Sequence, residues 1–184
     1  MSHKDTINLQ DGAGAGLIAH HNIADHIGVA GKFIVTCRDS EGRIRWEDGF
    51  PNLVVTTGKN DLLNKYFLGS SYNAAFYVGL KGTGTIAAGD TMASHAGWSE
   101  ITAYSNATRP AFSPASSTAG SSTNSASPAV FNINGSATVA GCLITTSNVQ
   151  SPGTAGTLFS AADFASSRAV ISGDTLTVTY TVSC

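Results

Sequence analysis

The sequence is poor in charge and in cysteine. Its 10 Lys and Arg residues and 12 Asp and Glu residues leave a formal net charge of −2 over 184 residues. Because nucleic acids and anionic membranes are bound through concentrated basic surface, we expect neither as a partner. The cysteines show no CxxC pairing and no metal-ligand spacing, which argues against a disulfide framework. They are Cys37, Cys142 and Cys184.

Long hydrophobic runs are also missing. No uncharged apolar stretch approaches the roughly 20 residues that a membrane-spanning helix needs. The opening residues, MSHKDTINLQDG, are polar and do not show the basic-then-apolar order of a secretory signal. We therefore expect a protein that is made and folded in a reducing cytoplasm. Its length suits one domain that needs no disulfide or structural metal to hold a core.

Motifs of catalysis are lacking too. The chain contains no GxSxG, HExxH or P-loop lysine motif. The glycines of GAGAG at 12–16 lack the preceding strand and the following capped helix that a dinucleotide-binding loop requires. These absences predict a protein that is not an enzyme and that holds no cofactor.

One pair of carboxylates, Asp90 and Glu100, flanks His95 and Trp98 and could in principle serve a glycosidase. A structural interpretation is favoured. Asp90 follows glycine in AAGDT, as Asp174 does in ISGDT, and both patterns are typical of Asx-type turns. We expect Trp98 in the core, because a domain of this size needs large aromatic side chains inside.

Charge is distributed unevenly along the chain. Arg109 is the only Lys, Arg, Asp or Glu between Ile101 and Ala162. The exteriors of soluble monomers usually mix charges of both signs. Two interpretations stay open: neighbouring chains cover this neutral stretch, or its hydroxyl and backbone groups keep it solvated. Within it, residues 113–128 are so rich in Ser and Thr that we expect a surface loop that builds no core.

From Gly31 onward the periodicity predicts β structure. Short apolar stretches between Gly, Pro, Asn and Ser clusters indicate about nine strands, and the last, DTLTVTYTVSC, alternates strictly between apolar and hydroxyl residues. The charge cluster RDSEGRIRWEDG alternates in sign and predicts a solvated or salt-bridged hairpin at a sheet edge. A second interpretation stays open, in which it pairs with complementary charge on a partner. One helix is expected at 58–68, ending at Gly69. Its apolar face would be Leu62, Leu63, Tyr66 and Phe67.

These elements predict an all-β fold: an antiparallel β-sandwich, jelly-roll or immunoglobulin-like, with one short helix and an extended N-terminal arm. The sandwich would be residues 31–184, and the helix would cover one of its open ends or edges. The arm would be residues 1–30, whose scattered apolar residues fit neither a helix nor a strand.

The arm holds four candidate metal ligands, His20, His21, Asp25 and His26, in the segment IAHHNIADHIG. Their spacing matches neither the i, i+4 of a helical zinc site nor the i, i+2 of a strand face, so we expect no metal. We expect contact with another polypeptide instead, with the isoleucines as apolar anchors. The predicted partner-binding residues are Leu17, Ile18, His20, His21, Ile23, His26 and Ile27.

Several segments between Asn52 and Ser183 resemble a widespread group of small structural proteins of tailed bacteriophages. They are NLVVTTGKNDLLNKYF, AFYVGL, GDTMASHAGWSEIT, ATRPAF, GCLITTSN and GTLFSAADFASSRAVISGDTLTVTYT. The resemblance implies a virion component without enzymatic activity, most of all a capsid cement or decoration protein. Such a protein is made in the host cytoplasm and added to the head shell. Its partners would be the major capsid protein and sister subunits, in a homodimer or homotrimer.

Two further hypotheses stay open. The chain could be a tail, neck or fibre component, with the arm as an adaptor and the sandwich as a distal domain. It could also be a carbohydrate-binding module that uses Trp46, Trp98 or exposed tyrosines as stacking platforms.

Overall fold

The computed structural model describes residues 28–72, 75–150 and 153–184. All but the last three residues of the predicted arm lie outside these ranges. Within them the chain forms one helix, α1 (Thr56–Phe67), and eleven strands. The strands are β1 (Ala30–Arg38), β2 (Ile44–Pro51), β3 (Leu53–Val54), β4 (Phe76–Gly84), β5 (Trp98–Ile101), β6 (Ala111–Phe112), β7 (Ser121–Thr123), β8 (Ala129–Asn132), β9 (Ala137–Thr145), β10 (Leu158–Val170) and β11 (Thr175–Ser183).

The strands form two antiparallel sheets whose inner faces share one core. In the five-stranded sheet the order is β2-β1-β11, and both β7 and β8 pair with the far side of β11. In the six-stranded sheet the order is β3-β10-β9-β4-β5, and β6 also pairs with β4. The predicted all-β antiparallel sandwich with one short helix is therefore confirmed.

The predicted charged hairpin is formed by β1 and β2. Asp39 organises its turn by accepting the backbone N–H groups of Glu41 and Arg43, each at 2.9 Å. The Arg43 side chain also donates to Asp39, and this hydrogen bond holds the pKa of the carboxyl below its ordinary value. Among the described strands β2 pairs with β1 alone, so the hairpin lies at a charged sheet edge, as predicted.

Alternation along β11 places one face of this strand in the core. Leu176, Val178 and Tyr180 are buried, while the threonines between them are only half-buried. The Tyr180 ring lies 4.5 Å from that of Phe33 in β1 and 5.3 Å from that of Phe112 in the opposite sheet. Because each such side chain contributes roughly 1.5–3 kcal/mol when fully buried, this face of β11 is a main source of stability.

The six-stranded sheet is buried on both faces. Every residue of β9 from Val139 to Thr145 is buried, which a strand with one solvated face does not show. The outer face is covered by the start of α1 and by residues 85–97, and the prediction that Trp98 is buried is confirmed. The side chains of this outer cluster are Val55, Met92, Trp98, Leu143, Leu158 and Ala161.

Two buried cations lie on the outer side of the six-stranded sheet, away from the core that the two sheets share. Arg109 donates from Nε and Nη2 to Glu100, at 2.6 and 2.7 Å, and both side chains are almost fully buried. Lys81 is fully buried and donates to Asp163 at 2.6 Å. Since Arg109 is internal, the exterior contributed by residues 101–162 carries no formal charge.

The two aspartates predicted in turns share one construction. In Asp90 and in Asp174, Oδ2 accepts the backbone N–H of the residue three positions earlier, at 3.0 and 2.9 Å. The same oxygen also accepts a side-chain donor, Trp98 Nε1 for Asp90 and Arg45 for Asp174. The turns are therefore as expected, but these carboxylates reach backward along the chain rather than forward, as an Asx turn would.

The segment 113–128 is not entirely loop, which corrects the sequence prediction. It contains β7 and the fully buried Asn124. The Asn124 side chain donates to the Val178 carbonyl at 3.3 Å and accepts the Tyr180 N–H at 2.7 Å. Its side-chain amide therefore bonds to the backbone of β11 in the gap between β7 and β8. Because this contact is long-range, the Ser and Thr content of the segment does not predict it.

The end of the chain also differs from prediction in one respect. GTLFSA and RAVIS are not separate strands, because both belong to β10. This strand pairs with β9 on either side of an irregular stretch between Asp163 and Arg168. A β-bulge or similar irregularity bends a strand without ending it. The polar residues of this stretch therefore lie within one strand and do not form a turn between two strands.

Replacing Tyr180 by phenylalanine should weaken the loss of stability at alkaline pH. Burial raises the pKa of Tyr180 to about 12 from its ordinary 10.0. The unfolded chain therefore ionises first, so the contribution of this group is complete below pH 10 and is lost as the pH rises toward 12. Each pH unit across this window removes about 1.4 kcal/mol. Urea unfolding at pH 9 to 12 measures the difference, and equal slopes for both proteins would contradict the assignment.

Candidate functional site

The candidate site is built on α1 and on the surface around it. The first turn of the helix is fixed to β10: Thr57 Oγ1 donates to the Leu158 carbonyl at 2.9 Å. Gly58 is the only buried residue of the helix, and a Cβ added to it would lie 2.2 Å from the carbonyl oxygen of Phe159. Only glycine permits this close approach, so Gly58 determines which side of the helix faces the sheet.

The side of α1 that follows Gly58 is polar. Asp61 and Lys65 lie three and seven residues further on, on the same side of the helix. Their side chains are mostly buried, with Asp61 Oδ1 3.6 Å from Lys65 Nζ. Lys65 also donates to the Ser71 carbonyl at 3.0 Å. Because this polar side faces the protein, the apolar side of the helix must face away from it.

The predicted helix is confirmed, but the apolar face predicted for it does not pack into the core. Gly69, with φ +61°, follows the helix end as predicted. The apolar residues of the helix are exposed instead. Together with Leu68, which directly follows the helix, we call them the apolar helix face: Leu62 (43% exposed), Leu63 (52%), Tyr66 (80%), Phe67 (71%) and Leu68 (76%).

Such a surface is unusual in a soluble protein. Single exposed apolar residues are common, but a contiguous group on one short element marks a site of interaction. The Tyr66 and Phe67 rings contact each other edge to face, 5.0 Å apart, and Tyr72 adds another exposed aromatic ring just after the helix. The apolar helix face is therefore the strongest candidate for a binding surface among the described residues.

A groove of about 560 Å³ lies between α1 and the end of the sandwich. Leu62 and Tyr66 form part of its helical wall, whereas Leu63, Phe67 and Leu68 do not line it. The first residue of β1 opposes the last residue of β11 in register, so both strand ends meet here. The other apolar lining residues are Val29, Tyr72, Phe76, Phe159 and Val182, and the exposed Cys184 lies beside them.

The groove also lies where the predicted arm joins the sandwich. Val29 is both part of its wall and the second described residue of the chain. The predicted partner-binding residues precede it directly, but all of them lie outside the described residues. They are Leu17, Ile18, His20, His21, Ile23, His26 and Ile27.

Replacing Gly58 by alanine should destabilise the protein by roughly 1–3 kcal/mol, because the new methyl group meets backbone atoms of Phe159 that cannot move aside. This loss would occur although alanine favours helix over glycine. Gly89→Ala is the matched control, since a Cβ at Gly89 has no atom within 4 Å. Urea unfolding of both variants measures the effect, and equal stabilities would show that the helix does not depend on this contact.

The residues considered for a glycosidase are only partly brought together. Asp90 and His95 both contact Trp98, and a hollow of about 400 Å³ is lined by His95, Trp98 and Glu100 but not by Asp90. The Glu100 carboxylate is paired with Arg109. The His95 ring stacks on that of Trp98 at 4.0 Å, and its Nδ1 is 3.0 Å from the Trp98 carbonyl oxygen. These contacts attach residues 85–97 to the sheet, so the geometry supports a structural role for Asp90, His95 and Trp98.

The described part of the chain contains no group of three or more His, Cys, Asp or Glu residues placed to hold a metal ion. In the same ranges no helix has the length and apolar character that crossing a membrane requires. Comparison with known proteins adds no assignment: no protein-family model matches the chain, and no curated protein matches it significantly.

Sequence reasoning missed the outward direction of the helix face. A signal was present in Gly58, because a glycine inside a helix often marks the side that approaches another backbone. Asp61 and Lys65 share that side, which leaves Leu63 and Phe67 on the other. The pattern of apolar residues alone does not distinguish a face that binds the core from a face that binds a partner.

Proposed function

We propose that this chain is a structural protein of a tailed-bacteriophage virion, a capsid cement or decoration protein that binds across subunits of the head shell. In this proposal the major capsid protein and sister subunits are its partners, and it works as a homodimer or homotrimer. It stabilises the shell through contact area and needs no chemical reaction.

The observation that carries the proposal is the apolar helix face. Leu63, Phe67 and Leu68 are more than half exposed and lie outside the groove. Large apolar and aromatic side chains of this kind form the centres of stable protein interfaces. We therefore assign the contact with the shell to these three residues.

The neutral exterior supports the same function. Residues 101–162 contribute no formal charge to the surface, because Arg109 is buried with Glu100. The cores of protein interfaces are depleted in charged residues, since burying an unpaired charge is costly. An uncharged exterior of this kind suits a protein whose surface is covered by neighbouring subunits.

The arm is the third part of the proposal. Residues 1–30 would bind a neighbouring subunit in the assembled shell, with Ile18, Ile23 and Ile27 as apolar anchors. Extended segments suit this task, because strand addition to a sheet edge uses main-chain hydrogen bonds and makes few demands on side chains.

Quantitative mass spectrometry of purified virions tests the proposal. A cement protein should be present in a copy number comparable to that of the major capsid protein, and electron cryomicroscopy should place it on the head. A copy number that is only a small fraction of this would contradict the proposal and favour a tail, neck or fibre component.

A carbohydrate-binding module is the second candidate, and one observation favours it. Tyr66 and Tyr72 are highly exposed and both line the groove, as stacking platforms for a sugar would. The tryptophans do not serve this role well: Trp98 is buried under His95, and Trp46 packs edge to face on Phe164 at 5.6 Å. Binding on a glycan array that Tyr66→Ser abolishes would support this candidate over the first.

A further inference from the structure

We propose that, in the unassembled protein, residues 17–27 occupy the groove beside α1 in their own chain. This inference concerns the free subunit and does not rest on the proposed function. Its observations are the position at which the described chain begins, the apolar lining of the groove and the composition of the segment that precedes it.

The position of the chain start favours the segment of the same chain. Val29 lies in the groove wall, so Ile27 is only two residues from it. Ile23 lies six positions before Val29, and this length of chain spans at most about 20 Å when extended. A segment tethered this closely has an effective concentration in the millimolar range, which a second molecule reaches only at very high protein concentration.

The chemical character of the groove also matches that of residues 17–27. The groove presents Leu62, Phe76, Phe159 and Val182, together with the ring of Tyr66. Its charged residues, Asp61 and Lys65, already face each other. The occupant should therefore be apolar and nearly uncharged.

Residues 17–27 meet this requirement at four positions, and the segment also contains the polar residues His20, His21, Asn22 and His26. Asp25 is their only Asp, Glu, Lys or Arg, and their large apolar residues are Leu17, Ile18, Ile23 and Ile27. A groove of about 560 Å³ has the size of a pocket for a small molecule and holds only a few side chains. Ile23 and Ile27, which are nearest to Val29, are the side chains we place in it.

Docking of this segment would also remove part of the exposed apolar surface before assembly. Leu62 and Tyr66 would be covered, while Leu63, Phe67 and Leu68 would stay available, because they do not line the groove. In an assembled particle the same segment could exchange onto a neighbour, as swapped elements do at low cost in free energy.

A nitroxide on Cys184 of the full chain tests the proposal by NMR. Cys37 and Cys142 are buried and Cys184 is exposed beside the groove, so the native sequence takes the label at one position. The expected result is strong paramagnetic broadening of the amide resonances of residues 17–23. A mixture of isotope-labelled protein with unlabelled nitroxide-bearing protein should show no such broadening.

Two matched pairs of variants sharpen the test. Tyr66→Ser should reduce the broadening and Phe67→Ser should not, because both residues are highly exposed but only Tyr66 lines the groove. Without any label, Ile23→Ser should shift the amide resonances of Val182 and Ser183, whereas Ile7→Ser should leave them unchanged.

Two outcomes would overturn the proposal. Absence of broadening at residues 17–23, together with unshifted resonances in Ile23→Ser, would show that the groove is not occupied by this segment. Broadening in the mixed sample would assign the groove to the segment of a second copy. Neither outcome touches the proposed function, which is tested by the composition of virions.

Discussion

Replacing Arg109 by methionine is expected to lower the free energy of unfolding by about 3–5 kcal/mol. The substitution removes two hydrogen bonds to Glu100 and one to the Ser147 carbonyl, at 2.8 Å. It also leaves the Glu100 carboxylate, whose side chain is only 3% exposed, without its cation. An uncompensated buried charge is the main cost. Since whole domains are stable by only about 5–15 kcal/mol, this loss is a large share of the total stability.

A second substitution separates this cost from simple loss of packing. Combining Arg109→Met with Glu100→Leu removes both charges, so most of the lost stability should return. The double-mutant cycle measures the coupling energy directly. Arg43→Met is the surface control: Arg43 is 70% exposed and pairs with Asp39 and Glu41, so its loss should cost at most about 1 kcal/mol. If the double variant were as unstable as Arg109→Met, the cost would lie in packing rather than in the buried charge.

The triple substitution of Leu63, Phe67 and Leu68 by serine is expected to abolish binding to capsids while leaving the domain folded. These side chains are 52%, 71% and 76% exposed, so they contribute little to the stability of the free protein. In an interface they would be central apolar anchors, and the loss of three should weaken binding roughly 100-fold or more. Co-sedimentation with capsids that lack the protein measures the affinity, and urea unfolding measures the stability.

A matched triple variant provides the control. Ile44, Val130 and Ile171 are 55%, 38% and 50% exposed and lie in other parts of the fold. Ile44 opposes Arg38 at the end of β1 furthest from the groove. Serine at these three positions should leave capsid binding unchanged. If both triple variants bound equally well, the apolar helix face would not be the contact with the shell.

The sequence correctly predicted the elements in which the regularly spaced apolar residues are the ones that the fold buries. β11 is the clearest example, since Leu176, Val178 and Tyr180 alternate with threonines and are the residues that the core buries. The β1–β2 hairpin was equally readable, because its turn residues and alternating charges are local signals. Local patterns of this kind depend only on neighbouring residues, so a sequence displays them directly.

Features that depend on contacts between residues far apart in the sequence could not be predicted from local patterns. Asn124 looked like part of a polar loop, yet it is buried against Val178 and Tyr180, more than fifty positions away. Lys81 lies in an otherwise apolar strand, and its partner Asp163 is 82 positions further on. Pairing over such separations follows from the order of strands in the sheets, which no local pattern specifies.

By itself, the sequence determined the class of the fold, the helix, the buried Trp98 and the low charge of residues 101–162, because composition and periodicity carry these properties. Only the tertiary structure decided that Arg109 is internal and that the apolar helix face points outward. The physical reason lies at Gly58: its missing Cβ lets the helix approach Phe159 with its polar side. The apolar residues of α1 therefore form the candidate binding surface, although their pattern matches that of a helix packed on a core.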